Sequence, residues 1–500
     1  MKKKYRIGPS TAIIFLTVLV AILGTMFSIL NIEGTLTNID NNVLTTSTVT
    51  FKSILSVDGI KYLFSNIILN FKMYEPLVLL IISLIGISIC ENSGLIKAKV
   101  ENLKKYKSQV ITFIVLLIGF ISSFIGNYSY IILLPLVGII YKYLNKNGVL
   151  GVITLFLGIT IGSACNFIYT YDYYQLGVLT QKSANISVDS SYIFNLSSNL
   201  YLLIGSFAIL LMTLTSLITT KIEYKFDKPL KTNDELVVSK KGLKSVNIAL
   251  LIMGVVLIYL IVPGFGSSGI LLDKSADTYI AKLFSPNAPF KDGILFLIVI
   301  AMMICGLIYG KVSGNIKSSD EYNKGLSISF SKTGYVFVLL FFASILNSVI
   351  EYTNLQEMLC VTLVEFMGNL NFTGVMLILT LFIITLIISI IMPFTVGKWV
   401  LISPVVVPLF MKANLAPSFT QYIFMAADSI GKCISPFFAY FIVMIGFMQK
   451  YNETNTRIDI ANTIRIIGKV LLLLIVVWLL IIIGWYIIGL PTGINTYPTL

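Results

Sequence analysis

The sequence predicts an all-α polytopic membrane protein of about nine transmembrane helices plus two re-entrant hairpins, set in an inverted repeat with discontinuous helices. Three observations lead there. Of the 500 residues, 56% are hydrophobic and only 12% charged, which is more apolar surface than a soluble domain can hide behind a polar shell. Apolar runs of about 20 residues recur from end to end, each long enough to cross a hydrocarbon layer of about 30 Å as a helix. The alternating strands of roughly ten residues that mark an outer-membrane barrel are absent. Finally, each half of the chain holds two short apolar arms around a polar interruption, followed by a broken apolar segment.

The elements follow in order from the positive-inside rule. Lys2, Lys3, Lys4 and Arg6 hold the N-terminus in the cytoplasm, and a first span covers roughly 9–31. That run lacks a small-residue cleavage site, so it reads as a retained span and not a signal peptide. Residues 32–72 are mixed in composition and external. A second span near 75–96 returns to the basic stretch 97–107. Apolar arms at 108–125 and 130–144 then flank Gly126-Asn127-Tyr128-Ser129, and both ends of the pair are basic. The pair reads as a re-entrant hairpin, a backbone tolerated at membrane depth only when buried in protein or lining a cavity. The next span starts near Gly148 and is broken around Gly162–Asp172. Residues 181–195 are polar and external, and the fourth span covers 196–219.

A lysine-rich cytoplasmic linker, 220–245, separates this first half (1–219) from the second (246–500). The second half repeats the plan. Spans lie near 246–264, 292–311 and 333–351. A hairpin at about 373–411 surrounds Met392-Pro393-Phe394-Thr395-Val396-Gly397. A span over 418–447 is broken at Asp428–Pro436, and a last span covers 466–488. Parity makes the two hairpins enter from opposite faces. Inverted repeats whose broken helices meet near the bilayer midplane are the architecture of alternating-access carriers.

Composition excludes other classes. The net charge of +13 would suggest nucleic acid in a soluble domain. Here the lysines sit in loops between apolar runs, as topology signals. Histidine is absent, which removes imidazole metal sites and Ser-His or Cys-His nucleophiles. The five cysteines form no CxxC and lie in or beside apolar segments, so they read as small core residues without disulfides. Neither a catalytic group, a metal nor a cofactor is indicated.

Charged residues inside the membrane are costly and usually functional. Asp172 ends the first broken span and reads either as a substrate-orienting or proton-carrying carboxylate, or as an external acid near Lys182. Asp428 and Lys432 are spaced i, i+4, so one helical turn can pair them, for structure or for a site. On the second hairpin, Lys398 can meet a carboxylate and Trp399 can stack on an aromatic ring. Both are also common interfacial anchors. Asn127, Ser129, Asn166, Thr395 and Ser435 offer neutral hydrogen-bond groups at the interruptions, where free helix-terminal N–H groups suit anions. Pro135, Pro393, Pro404 and Pro436 mark the same places and free carbonyls there. Glu351 and Glu365 flank a short external segment.

The residues also resemble a known family over essentially the whole chain. Lys52 to Gly59 with Asn70-Phe71, Lys398-Trp399, Pro404 to Pro408, Asp428-Ser429, Ser435-Pro436, and Trp478 with Trp485 to Gly493 are similar, in order and spacing, to the AbgT family of p-aminobenzoyl-glutamate transporters. The resemblance implies a carrier, usually a homodimer, that moves aminobenzoyl-glutamate or related aromatic amides. Some members act as drug exporters. This chain is a divergent member. Asn127 stands where an aspartate is usual and Met425 where arginine is common. Gly431-Lys432 replaces Thr-Asn, and Phe394-Thr395-Val396 replaces a serine-rich stretch.

The expected function is therefore secondary transport of a small anionic organic solute across a bacterial inner membrane, with a proton or sodium as coupling ion. A carrier of C4-dicarboxylates or short-chain carboxylates is the nearest alternative. Of a different class is a membrane-embedded glycosyltransferase or polymerase, but the longest loops carry no dense cluster of acids or arginines.

Overall fold

The computed structural model describes residues 7–40, 43–226, 236–264, 268–370, 372–453 and 457–500. The N-terminal Lys2, Lys3, Lys4 and Arg6, part of the 264–269 loop, and the linker residues Asp227, Lys228, Lys231, Asp234 and Glu235 lie outside them. Among the described residues, 11 helices are long and apolar enough to cross a membrane. They fall on the expected spans and hairpin arms, except that each piece of the second broken helix and the arm Tyr128–Tyr143 is shorter.

The first half runs through Pro9–Ile29 and Glu75–Asn92 to two helical arms, Ser108–Ser122 and Tyr128–Tyr143, both packed on Gly148–Cys165, which with Tyr171–Ser187 forms an interrupted helix. The second half runs through Lys240–Ile261, Pro289–Ser313 and Gly334–Tyr352 to Gly374–Ile391 and Thr395–Lys412. The interrupted pair Pro417–Lys432 and Ala439–Lys450 follows. Leu200–Leu217 and Ile460–Ile488 close the respective halves. Burial separates centre from rim. In Gly148–Cys165 94% of the apolar window is buried, against 6% in Lys240–Ile261, so the latter turns nearly its whole surface to its surroundings.

Local chemistry sets the boundaries. Asn147 and Thr170 cap the two pieces of the first interrupted helix, accepting from the N–H groups of Val149 and Tyr173, as N-cap side chains do. Gly126 takes φ +61° at the first hairpin's tip, a left-handed backbone that glycine adopts freely. Pro135 removes an N–H inside Tyr128–Tyr143. The carbonyl of Ile131, four residues earlier, accepts from the Ser83 hydroxyl instead, at 3.2 Å.

Three regions depart from expectation. The described part of 32–72 holds a two-stranded antiparallel sheet, Glu33–Asp40 with Val43–Thr50, and an amphipathic helix, Val57–Lys72. The polar stretch 181–195 begins inside a helix, Tyr171–Ser187, in which Thr180 and Ser183 are fully buried. Their hydroxyls meet Gln421 and Ser403 across the bundle, both at 3.0 Å. Polar groups paired in this way need no water. Glu351 and Glu365, expected to flank a short external segment, lie in two successive helices, Gly334–Tyr352 and the 14-residue Leu355–Gly368.

Candidate functional site

Each hairpin has an arm that ends beside the break of the following helix, and each crossing is close. A Cβ on Gly162 would lie 2.5 Å from the Cα of Phe120, and one on Gly431 would lie 2.5 Å from the Cβ of Ser389. Only glycine allows these backbones so near. The last carbonyls of a helix have no partner within it, and at both crossings side chains supply one. Asn166 donates its amide to the carbonyls of Phe120 (2.9 Å) and Ile121 (3.2 Å) and to the Ser123 hydroxyl (2.9 Å). Ser435 donates to the carbonyl of Ile390 at 2.6 Å, and Gln356 to that of Ile391 at 2.6 Å. Ser129 donates to the carbonyl of Ser122 and closes the first tip.

Among the described residues, only the second crossing holds ion pairs. Asp428 Oδ1 accepts from Lys398 Nζ at 2.5 Å, and Oδ2 accepts from the Thr395 hydroxyl at 2.7 Å. Lys432 Nζ lies 3.1 Å from Oδ2 and also donates to Thr395. Lys398, wholly buried, completes its shell with the Ser389 hydroxyl (2.6 Å) and the Met392 carbonyl (2.9 Å). One carboxylate thus serves two ammonium groups. Among the described residues neither ammonium has a second acid within ion-pair distance.

A cavity of about 350 Å³ opens where the two breaks meet, within the size range of small-molecule sites. Of the residues singled out from sequence, Asn127, Asp172, Thr395, Asp428 and Lys432 line it. Asp172 stands in the first turn of Tyr171–Ser187, exposed to the cavity, and interacts electrostatically with Lys432 and Asp428. Asn127 donates to both carboxylate oxygens of Glu75, at 3.0 and 3.1 Å. Aromatic rings make much of the wall. Tyr130 stacks on Tyr440 with centroids 4.8 Å apart, and Lys432 Nζ lies 5.8 Å from the ring centre of Phe438.

The other expected residues stand behind the wall. Ser129 closes the first tip, Asn166 and Ser435 hold the breaks, and Lys398 pairs with Asp428. The Trp399 ring does not face the cavity. It is fully buried, packs on Phe424 at 4.4 Å and donates its N–H to Thr180 at 3.0 Å. Sequence reading missed Glu75, Lys291 and Asn347, which line the cavity from helices far away in the chain. Only Glu75 left a trace, as an acid in a helix's first turn, where the dipole also favours one.

The model of the AbgT putative transporter family matches residues 7–500. The chain belongs to that family. It is a multi-pass membrane transporter of small organic solutes, not an enzyme. The p-aminobenzoyl-glutamate transport protein of Escherichia coli (strain K12) is 23% identical over 468 residues, covering 90% of this chain and 88% of that protein. Two solved structures are also similar. The YdaH transporter of Alcanivorax borkumensis is 24% identical with a TM-score of 0.49, covering 97% of this chain and 100% of its own. MtrF of Neisseria gonorrhoeae, described with a class of antimetabolite efflux pumps, is 22% identical with a TM-score of 0.49, covering 99% and 98%.

Proposed function

We propose that the chain is a secondary active carrier of a small aromatic anion of the p-aminobenzoyl-glutamate type. The observation that carries this reading is the excess of one positive charge at the Lys398–Asp428–Lys432 cluster, with Lys432 at the wall of an aromatic-lined cavity. An ammonium that shares its carboxylate with another cation keeps attraction for a substrate carboxylate. Aromatic walls suit a ring by edge-to-face or offset contact. Asp172, without a hydrogen-bond partner among the described residues, is free to accept an N–H from the same solute.

In this reading the halves 1–219 and 246–500 form an inverted pair, and the hairpins are re-entrant from opposite faces. The carrier works as a homodimer in a bacterial inner membrane, N-terminus cytoplasmic, driven by a proton or sodium gradient. Residues 142–147 are then cytoplasmic, and external labelling there would rule the paired re-entrant hairpins out.

Purified protein in liposomes should move labelled p-aminobenzoyl-glutamate when a cation gradient is imposed. Unlabelled aromatic acid amides should compete, and succinate should not. Gradient-driven succinate transport without aminobenzoyl-glutamate transport would favour the C4-dicarboxylate carrier instead.

A further inference from the structure

We infer that Lys432 is a tethered cation filling, from within the chain, the place a free metal cation would take at the second crossing, so that this carrier neither binds nor couples to sodium. The inference refines the driving-ion half of the transport reading and rests on it.

The second crossing gathers the oxygen groups that hold a hard cation: the Asp428 carboxylate, the Thr395 and Ser389 hydroxyls and the carbonyl of Met392. Such sets, at the C-terminal ends of discontinuous helices, are where carriers coordinate small cations. Lys432 is the last residue of Pro417–Lys432, so its ammonium lies where the helix dipole is negative. It takes Asp428 Oδ2 and the Thr395 hydroxyl, while Lys398 takes Oδ1, the Ser389 hydroxyl and the Met392 carbonyl. Each of these oxygens therefore already faces a nitrogen of the chain.

Charge reinforces the geometry. The cluster carries two ammonium groups on one carboxylate, in a pocket where Asp428 is 2% and Lys398 0% exposed. A sodium ion here would add a third positive charge at short range, and repulsion grows as the dielectric falls. The crossing in the first half offers no substitute. There the Asn166 amide occupies the carbonyls of Phe120 and Ile121 and the Ser123 hydroxyl with N–H donors. Both places where helix ends converge are closed by nitrogen.

The two ammonium groups differ in what they can do. Lys398 is sealed, but the Lys432 side chain is 13% exposed and lines the cavity. Lys432 can turn from Asp428 toward a substrate carboxylate without leaving its anchor, so a cation accompanies the anion through the cycle without being released.

The test needs no substrate, so it stands or falls apart from the aminobenzoyl-glutamate reading. Full-length protein is melted in sodium chloride and in choline chloride at equal ionic strength, and binding of radioactive sodium is measured by scintillation proximity. Wild type should melt at the same midpoint in both salts and show no saturable sodium binding. Lys432→Asn and Lys432→Ser, which vacate Asp428 Oδ2 and the Thr395 hydroxyl, should gain a sodium-specific upward shift that rises with the logarithm of concentration. A sodium-specific shift or saturable sodium binding in wild type overturns the inference. So do folded Lys432→Asn and Lys432→Ser proteins that both remain blind to sodium. If both variants fail to fold, the wild-type binding measurement alone decides.

Discussion

Replacing Asp428 by asparagine keeps the side-chain volume and removes the carboxylate that, among the described residues, alone stands within ion-pair distance of two buried cations. The single carbonyl oxygen of the amide can accept from one ammonium. Its NH2 then points donors at the other ammonium or at Thr395, which the carboxylate had accepted from at 2.7 Å. Lys398, with no exposure at all, keeps the Ser389 hydroxyl and Met392 carbonyl but no negative charge. Removing one partner of a buried ion pair typically costs about 3–5 kcal/mol, because the other charge is left uncompensated. Asp428→Asn should fall in that range.

Lys432→Met makes the opposite change. It gives up a 3.1 Å ion pair, worth about 1.5–3 kcal/mol as a hydrogen bond to a charged group. It also relieves repulsion between the two ammonium groups and restores a neutral Lys398–Asp428 pair. The net change should stay within about 1 kcal/mol of zero, since charge relief offsets the lost bond. In the double variant one stranded ammonium is gone, so the two changes should cost less together than their sum, with a coupling of about 0.5–3 kcal/mol. Large membrane proteins often unfold irreversibly, so the assay is a ranking of melting midpoints at one scan rate. The expected order is wild type near Lys432→Met, then the double variant, then Asp428→Asn. If Asp428→Asn melts with wild type while Lys432→Met melts far below it, the cluster is not organised around a shared carboxylate.

Three further outcomes follow from the geometry. Asp172→Asn should reduce aminobenzoyl-glutamate transport at least about tenfold, the equivalent of ~1.4 kcal/mol. Its melting point should not move, because Asp172 faces the cavity; full transport in the variant would make it a bystander. Gly431→Ala would put a Cβ 2.5 Å from Ser389 Cβ and 2.8 Å from the Leu386 carbonyl, and should cost about 1–3 kcal/mol as overpacking. Gly254→Ala, whose Cβ meets nothing within 4 Å, is the control, and equal melting of the two would show that the crossing can relax. Trp399→Phe should lower stability by about 1 kcal/mol for the lost bond to Thr180 and leave the transport KM unchanged. A raised KM at unchanged stability would mean that the indole touches the solute.

The helical arms on either side of each polar tip were legible because each is a short apolar run. The expected arms 108–125 and 130–144 match Ser108–Ser122 with its following turn and Tyr128–Tyr143. The arms 373–390 and 398–411 match Gly374–Ile391 and Thr395–Lys412. Hydropathy failed at Tyr171–Ser187 for an identifiable reason. That helix is polar enough to pass for a loop, yet Thr180 and Ser183 spend their polarity on Gln421, Trp399 and Ser403. A window average sees residues one at a time, whereas the cost of burying them depends on partners more than two hundred positions away. The sheet at Glu33–Thr50 had left a signal in its alternating threonines, Thr35, Thr37, Thr46, Thr48 and Thr50. β-branched side chains favour extended backbone, and that signal was read only as mixed composition.

The site shows where the reach of sequence ends. The Asp428–Lys432 pair follows from i, i+4 spacing, which helical geometry fixes without tertiary information. Lys398 is 30 residues from Asp428, and nothing in the spacing says that its carboxylate comes from the chain and not from a solute. That distinction changes the chemistry. Were Lys398 free, the cavity would hold a neutral Asp428–Lys432 pair and a separate cation. With Lys398 bound, Asp428 is saturated, and the spare charge passes to Lys432, which of the two paired ammonium groups is the one that reaches the cavity wall. The anion-binding role that sequence assigned most naturally to Lys398 therefore falls to Lys432, because burial decides which of two like charges is available to a ligand.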